Sequence, residues 1–408
     1  MHTHSLDLTH TAAVLLAHSQ GSRLHELTAR DCNSALHFAG VHRLADFAMA
    51  SVVRAGIDRV VVATQHYPAT LQRHLDSVWH PTLPDGGLVF RNGPDVAGAD
   101  GYVGALDTIR ANAAGFDGTG VQEIVVVPAD QVHAIDLSSM IAEHRRSGLP
   151  ITVAAMPMPL DDAQTLGGVR LDAEGQVVGY HDPGRAPYPL TEDGARAMAC
   201  LGVYVLDWSW LKERLRLQAL SNFAPDLLAL AAASREAGVW IMGSDAEAPY
   251  WRKVDSLDAY RRASLDFEAR PLPCQRPVAA GAALRLPPAV PGRDRFSGQV
   301  QMGDVRLLSP VLNSDDRERW CVLDRSVLMP GARVDPGVRL SRTIVAPGTA
   351  VPHGIITGED PQEDGRWFRV SSEGTILITT AMLAHRGATR TRLFPLFGRS
   401  GARPVPST

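Results

Sequence analysis

Residues Thr11 to Leu24 read TAAVLLAHSQGSRL, a run of small, branched and leucine side chains that stops at His18 and gives way to a polar turn with Gly21. An uninterrupted apolar run of this kind marks a strand buried on both faces, as at the centre of a parallel sheet. The residues from about Arg23 onward are predicted to begin a helix. Open α/β sheets bind ligands beyond the carboxyl ends of their strands. Backbone N–H groups of such a turn, backed by the positive end of a helix, suit an anion, although the same residues also make an ordinary strand-to-helix connection.

Working outward, helical spacing over Leu44 to Ala55 ends at Gly56, and Ile57 to Thr64 (IDRVVVAT) follows as a second strand. Helices at Thr70–Trp79, Gly104–Ala113 and Leu137–Arg146 then alternate with strands at Val121–Ala129, which ends at Asp130, and Ile151–Met156. This alternation predicts an α/β domain with a mainly parallel sheet sandwiched by helices. From Gly168 the strands shorten, and Gly168–Leu171 and Gln176–Tyr180 flank the DAEG turn of a hairpin. A strand at Leu201–Leu206, helices at Leu211–Leu217 and Asp226–Ala233, a strand at Val239–Met242 and a segment continuing as helix over Tyr250–Phe267 complete residues 11–268. Residues 1–10 read as a flexible tail, whose His2, His4 and His10 lack the fixed partners a metal site needs.

Residues 269–298, dense in proline, read as a linker. Beyond it a period of six emerges: Leu328, Val334, Leu340 and Ala346 form one series, and Ala332, Val338, Ile344 and Ala350 another, with Pro-Gly pairs at 330 and 336. Hexads of this type build a parallel β-helix, expected over residues 299–386. Residues 387–408 are basic and contain prolines, the composition of a disordered tail.

The chain has 408 residues, of which 45% are apolar and 21% charged, with a formal charge of −4, so no global field favours nucleic acid. Its apolar runs, such as Val125–Val127, are far shorter than the roughly 20 residues of a membrane helix. The N-terminus lacks the basic stretch and apolar core of a signal peptide, which points to the cytoplasm. Cys32, Cys200, Cys274 and Cys321 are widely spaced, as expected of reduced thiols.

Several strings resemble the ADP-glucose pyrophosphorylase (glucose-1-phosphate adenylyltransferase) family over roughly residues 11–385. They are GSRL at Gly21–Leu24, ALHF at Ala35–Phe38, ADF at Ala45–Phe47, AAMPMP at Ala154–Pro159 and LGVYV at Leu201–Val205. The longest are APYWRKVDSLDAYRRASLD at Ala248–Asp266 and RWFRVSSEGTILIT at Arg366–Thr379. The resemblance implies a nucleotidyltransferase-like α/β domain followed by a left-handed β-helix. It also implies a reaction of ATP with glucose 1-phosphate to give ADP-glucose and pyrophosphate, Mg2+ as cofactor, phosphorylated effectors, and assembly into homo- or hetero-oligomers in glycogen synthesis.

Such a transfer needs carboxylates to hold a metal and cations over the phosphates. The resemblance places the nucleotide loop at Ala17, His18, Ser19 and Gly21, where the family's GGRGTRL is HSQGSRL: glycines become His18 and Ser19, and an arginine becomes Gln20. Asn33 replaces a lysine, with Ser34 in place of the proline that follows it. Asp130 and Arg23 are retained, whereas the second metal aspartate is Lys253. On the sugar-phosphate side Gly167 and Tyr204 are kept, the EKP motif becomes His181-Asp182-Pro183, a serine becomes Cys200 and an aspartate becomes Asn222. Arg30, His37, Arg43, Arg366 and Arg369 are matched to the effector cluster, with Asp31 where the family has arginine. These replacements lead to the expectation of a catalytically impaired regulatory paralogue; an active enzyme and a free-standing sugar-phosphate or nucleotide sensor are the alternatives.

Overall fold

The computed structural model describes residues 6–190, 195–217, 219–243, 249–267, 274, 277, 298–302, 305–309 and 320–393. Thr11–Ala17, buried along its whole length, pairs in parallel with Val60–Thr64 on one side and Glu123–Pro128 on the other. Leu88–Asn92 extends the sheet beyond Val60–Thr64, also in parallel. Sequence alternation assigns no strand between Trp79 and Gly104; LVFRN is short and carries only three apolar side chains, too few to stand out.

Successive residues of the central strand face opposite layers. Ala13, Leu15 and Ala17 join a core with Ala45, Ala48, Met49 and Val52 of helix Ala45–Ala55. Ala12, Val14 and Leu16 join another with Leu106 and Ile109 of helix Ala105–Asn112. The sheet is thus covered on both sides.

The parallel order is interrupted by the twelve-residue strand Arg196–Asp207, antiparallel both to Glu123–Pro128 and to Ile151–Pro159. Its register breaks between Cys200 and Tyr204, and Gly202 sits in that bulge at φ +74°. Such a bulge re-aims side chains locally. Gly168–Leu171 and Val177–His181 form the expected hairpin at one edge, and Ala237–Ile241 pairs in parallel with Ile151–Pro159.

Three local expectations are corrected. The residues after Gly21 form 3₁₀ turns over Ser22–Thr28, broken at His25 (φ 50°, ψ −123°), rather than a helix; without a continuous helix there is no aligned dipole behind the loop. Residues 6–10 are packed rather than a free tail: Leu8 is buried, His10 Nδ1 lies 2.8 Å from the Gly120 carbonyl, and Arg145 donates to the Asp7 carbonyl at 2.9 Å. Residues 1–5 lie outside the described residues. The stretch read as continuing into helix from Tyr250 is a strand at Trp251–Lys253, antiparallel to Gln131–His133, followed by a helix at Leu257–Asp266.

That helix groups with a second compact unit formed by the described residues from 298 onward, although the sequence division falls at 268. Arg261 Nε donates to Thr375 Oγ1 at 2.9 Å, Ser371 donates to Asp258 at 2.7 Å, and Thr375 donates to the same carboxylate. Three ladders make a parallel β-helix. Cys321–Asp324 stacks under Arg339–Ser341 and Ile356–Thr357, Val327–Leu328 under Thr343–Val345 and Ile376–Ile378, and Arg333–Val334 under Ala350–Val351.

The stacked partners Leu323 and Leu340, Leu328 and Val345, and Val334 and Val351 are each 17 residues apart. One side of each coil is therefore five residues long and the other two are six, so the strict hexad slips by one after Leu340. Val345 and Val351, not Ala346 and Ala350, stack on Leu328 and Val334, and Ala350 is exposed. Helix Pro361–Trp367 is inserted before the third coil closes at Ile376–Ile378. Thr380–Leu393 is helical, which corrects the expectation of disorder for residues 387–393. The proline-rich linker lies almost entirely outside the described residues, and residues 394–408 lie wholly outside them.

Candidate functional site

Asp130 leaves the carboxyl end of Glu123–Pro128, and its carbonyl accepts from Val254 N at 2.9 Å. That bond and the Lys253–Gln131 register place the segment 253–255 beside it. Lys253 Nζ lies 3.3 Å from Asp255 Oδ2, and Arg23, reaching over from the loop, pairs with the same carboxylate. Burial pushes the Asp130 carboxyl up, Lys253 pulls it down and Asp255 pushes it up again. Two carboxylates and two cations are thus collected at one strand end.

Asp255 is absent from the residues picked out by sequence. Its spacing from Lys253 was the available signal, since residues two apart in extended chain point the same way. Gln131 was also missed. It is buried, donates to the Leu201 carbonyl of the bulge at 2.8 Å and accepts from Trp251 Nε1 at 2.9 Å. One side chain therefore ties the bulge to the strand that carries Lys253.

In the loop, Gly21 adopts φ +69°, and a Cβ there would meet Asn33 Cβ and Leu24 Cδ1 at 3.0 Å. Gly21→Ala is expected to lower the stability of the first unit by about 1–2 kcal/mol, read as a shift of its denaturant midpoint; an unchanged midpoint would count against a fixed left-handed turn. Ser19 and Gln20 are exposed, and Ala17 ends the central strand opposite Thr64. His18 meets the Tyr102 ring edge-on at 6.2 Å; burial, with His66 nearby, holds its pKa down to about 4. It is neutral at pH 7. Asn33 is fully buried, and among the described residues neither atom of its amide has a hydrogen-bond partner.

Gly167, at φ +79°, accepts from Cys200 N through its carbonyl at 3.0 Å. Cys200 Sγ is 3.6 Å from the Tyr204 hydroxyl, and Tyr204 stacks on Phe223 with centroids 4.9 Å apart. Burial pushes the Cys200, Tyr204 and Tyr180 protons up, so this wall is neutral. His181 is buried, stacked beside Tyr180 and edge-on to Tyr188, 5.5 Å away. Asp182 and Asn222 are exposed, and the Asn222 backbone N–H is taken by Asp226 at 2.7 Å.

Residues 12–270 match the nucleotidyl transferase family, and residues 300–378 match the GlmU-like C-terminal hexapeptide family. The chain belongs to the nucleotidyl transferase family. The hexapeptide region is consistent with a left-handed β-helix, and the pair of domains supports a function like that of sugar-phosphate nucleotidyltransferases.

Within the nucleotidyl transferase domain the residues present do not fit a resident Mg2+. The Lys253 charge acts on Asp130, and Asp255 is engaged by Lys253 and Arg23. A hard dication needs oxygen donors that are not already neutralised. Of the residues matched to an effector cluster, Arg30 is exposed and Arg43 donates to the Ala35 carbonyl. His37 is held at about 4 by burial, Arg43 and His74, so it is neutral at pH 7. Arg366 lies over the Trp367 ring, 4.9 Å from its centroid, and Arg369 is in a short strand; both belong to the second unit.

Proposed function

We propose that this nucleotidyl transferase is an ADP-glucose pyrophosphorylase-like protein of glycogen synthesis that binds phosphorylated ligands but has lost turnover, acting in mixed oligomers with an active family member. The observation that carries this is Lys253. Its ammonium lies beside Asp130 and is salt-linked to Asp255, at the position the resemblance assigns to a metal-holding carboxylate. A monovalent ammonium would supply less charge to a departing pyrophosphate than a divalent ion would. Removing one preorganised stabiliser commonly costs about 2.7–4 kcal/mol of transition-state energy, and here several are replaced together.

Purified chain supplied with ADP-glucose, pyrophosphate and Mg2+ is expected to form ATP and glucose 1-phosphate no faster than its Asp130→Ala variant. When it is mixed with an active subunit, the effector response of that subunit is expected to change. Turnover above the variant would sink the proposal. The second reading, an active transferase, is favoured by the proximity of Asp255, which could pair with Asp130 in place of the missing aspartate. It requires Mg2+-dependent turnover that Asp255→Asn abolishes.

A further inference from the structure

Arg23 and Lys253 are the two cations gathered at the Asp130 strand end, and both contact one carboxylate, Asp255. Arg23 arrives from the loop after the central strand, while Lys253 and Asp255 come from the segment paired with Gln131–His133. The two lie far apart in sequence, so this is a tertiary ion cluster. The Arg23 and Lys253 side chains are 68% and 43% exposed, whereas that of Asp255 is only 23% exposed. The outer faces of both cations are therefore open to an incoming anion while the carboxylate sits inward.

We propose that Asp255 is an internal substitute for a phosphate: it occupies Arg23 and Lys253 until a phosphorylated ligand displaces it, and the ligand is then held without a divalent metal. This rests on the reading of the protein as a phosphoanion-binding transferase relative. It adds the way the anion is held and what it competes with. Exposed ion pairs are individually weak, so a multiply charged phosphate can break them readily. A diphosphate can engage both cations at once, and Arg offers a planar fork that suits phosphate oxygens. Magnesium in solution lowers the charge of a diphosphate, and near Lys253 a complexed dication is repelled. The site should thus prefer the free anion.

Calorimetric titration of the full-length chain with inorganic pyrophosphate, in EDTA and in excess Mg2+, tests this directly. Binding is expected to be at least as tight in EDTA as in Mg2+ and to weaken with salt. Asp255→Asn is expected to tighten it about tenfold, through loss of the competing pairs and of one repulsive charge. Arg23→Ala and Lys253→Ala should each weaken it several-fold. Thermal unfolding of every variant separates loss of binding from loss of fold; should Asp255→Asn unfold early, the same comparison is made with Asp255→Ser. Binding only in the presence of Mg2+, unchanged or weaker binding on removing the Asp255 charge, or no binding by any of these proteins overturns the proposal. Turnover of ADP-glucose is measured separately and decides the broader reading whatever the titration shows.

Discussion

Replacing Asp46 with alanine is expected to destabilise the first unit by about 3–5 kcal/mol, the scale for removing one partner from a buried charged network. Asp46 is buried at the start of helix Ala45–Ala55. Its carboxylate accepts from Trp79 Nε1, from the Arg43 backbone N–H and at His74 Nε2, each at 2.7 Å. Truncation leaves these groups facing a cavity, and unsatisfied buried donors are costly. Asp46→Asn keeps an acceptor and should lose less, about 1–2 kcal/mol. Trp79, one of seven tryptophans, is buried in the same network, and the urea midpoint of the chain's total tryptophan fluorescence, compared between native chain and variant, reports the change. A shift under about 1 kcal/mol would show that the network contributes little.

The effect carries a pH signature. Burial pushes the Asp46 carboxyl up, but its His74, Arg43 and Trp79 donors more than offset that, so its folded value lies below the ordinary 3.8. A depressed carboxylate contributes stability that is present above its unfolded value and lost as pH falls through the folded one. The gap between wild type and Asp46→Ala should therefore be full near pH 7 and narrow only below about pH 4. The histidines act earlier. His18 and His37, held at about 4, and His133, held at about 3, are all neutral when folded but take up protons near 6.5 when unfolded. Wild type and variant should thus lose stability in parallel as pH drops from about 6.5 to about 4.

Lys253→Asp is expected to strengthen divalent-cation binding at the Asp130 strand end. Exchanging a positive for a negative charge about 5 Å from a dication changes the interaction by roughly 3 kcal/mol even in a water-like dielectric, about two orders of magnitude in affinity. Titration with Mn2+, followed by the loss of its free-ion resonance, should show binding by the variant. Adding Asp130→Asn should remove it. Equal Mn2+ binding by native chain and variant would mean that Lys253 does not govern the charge at this strand end. Turnover is not expected to return with the metal, because His181 and Asp182 remain where the family resemblance calls for glutamate and lysine.

The central strand, the alternation around it, the 168–181 hairpin and the period near six were legible in the chain itself. Each is a local repeat of side-chain character, and burial on one or both faces imposes that repeat on the sequence. The break at His25, the bulge at Gly202 and the 17-residue coil were not. In each of these, one residue changes direction or drops out of a count, and only a neighbouring strand fixes where. The loss of family residues at 20, 33, 182 and 253 could likewise be read directly, since residue identity needs no coordinates.

By itself, then, the sequence determined the two-part architecture and the chemical identity of each substituted position. Tertiary structure alone decided which residues stand beside those positions. Asp255 becomes part of the site because strand Trp251–Lys253 pairs with Gln131–His133 and because Arg23 folds across to it. Charge neutralisation depends on separations of a few ångströms in space, and these are set by packing between segments that are remote along the chain.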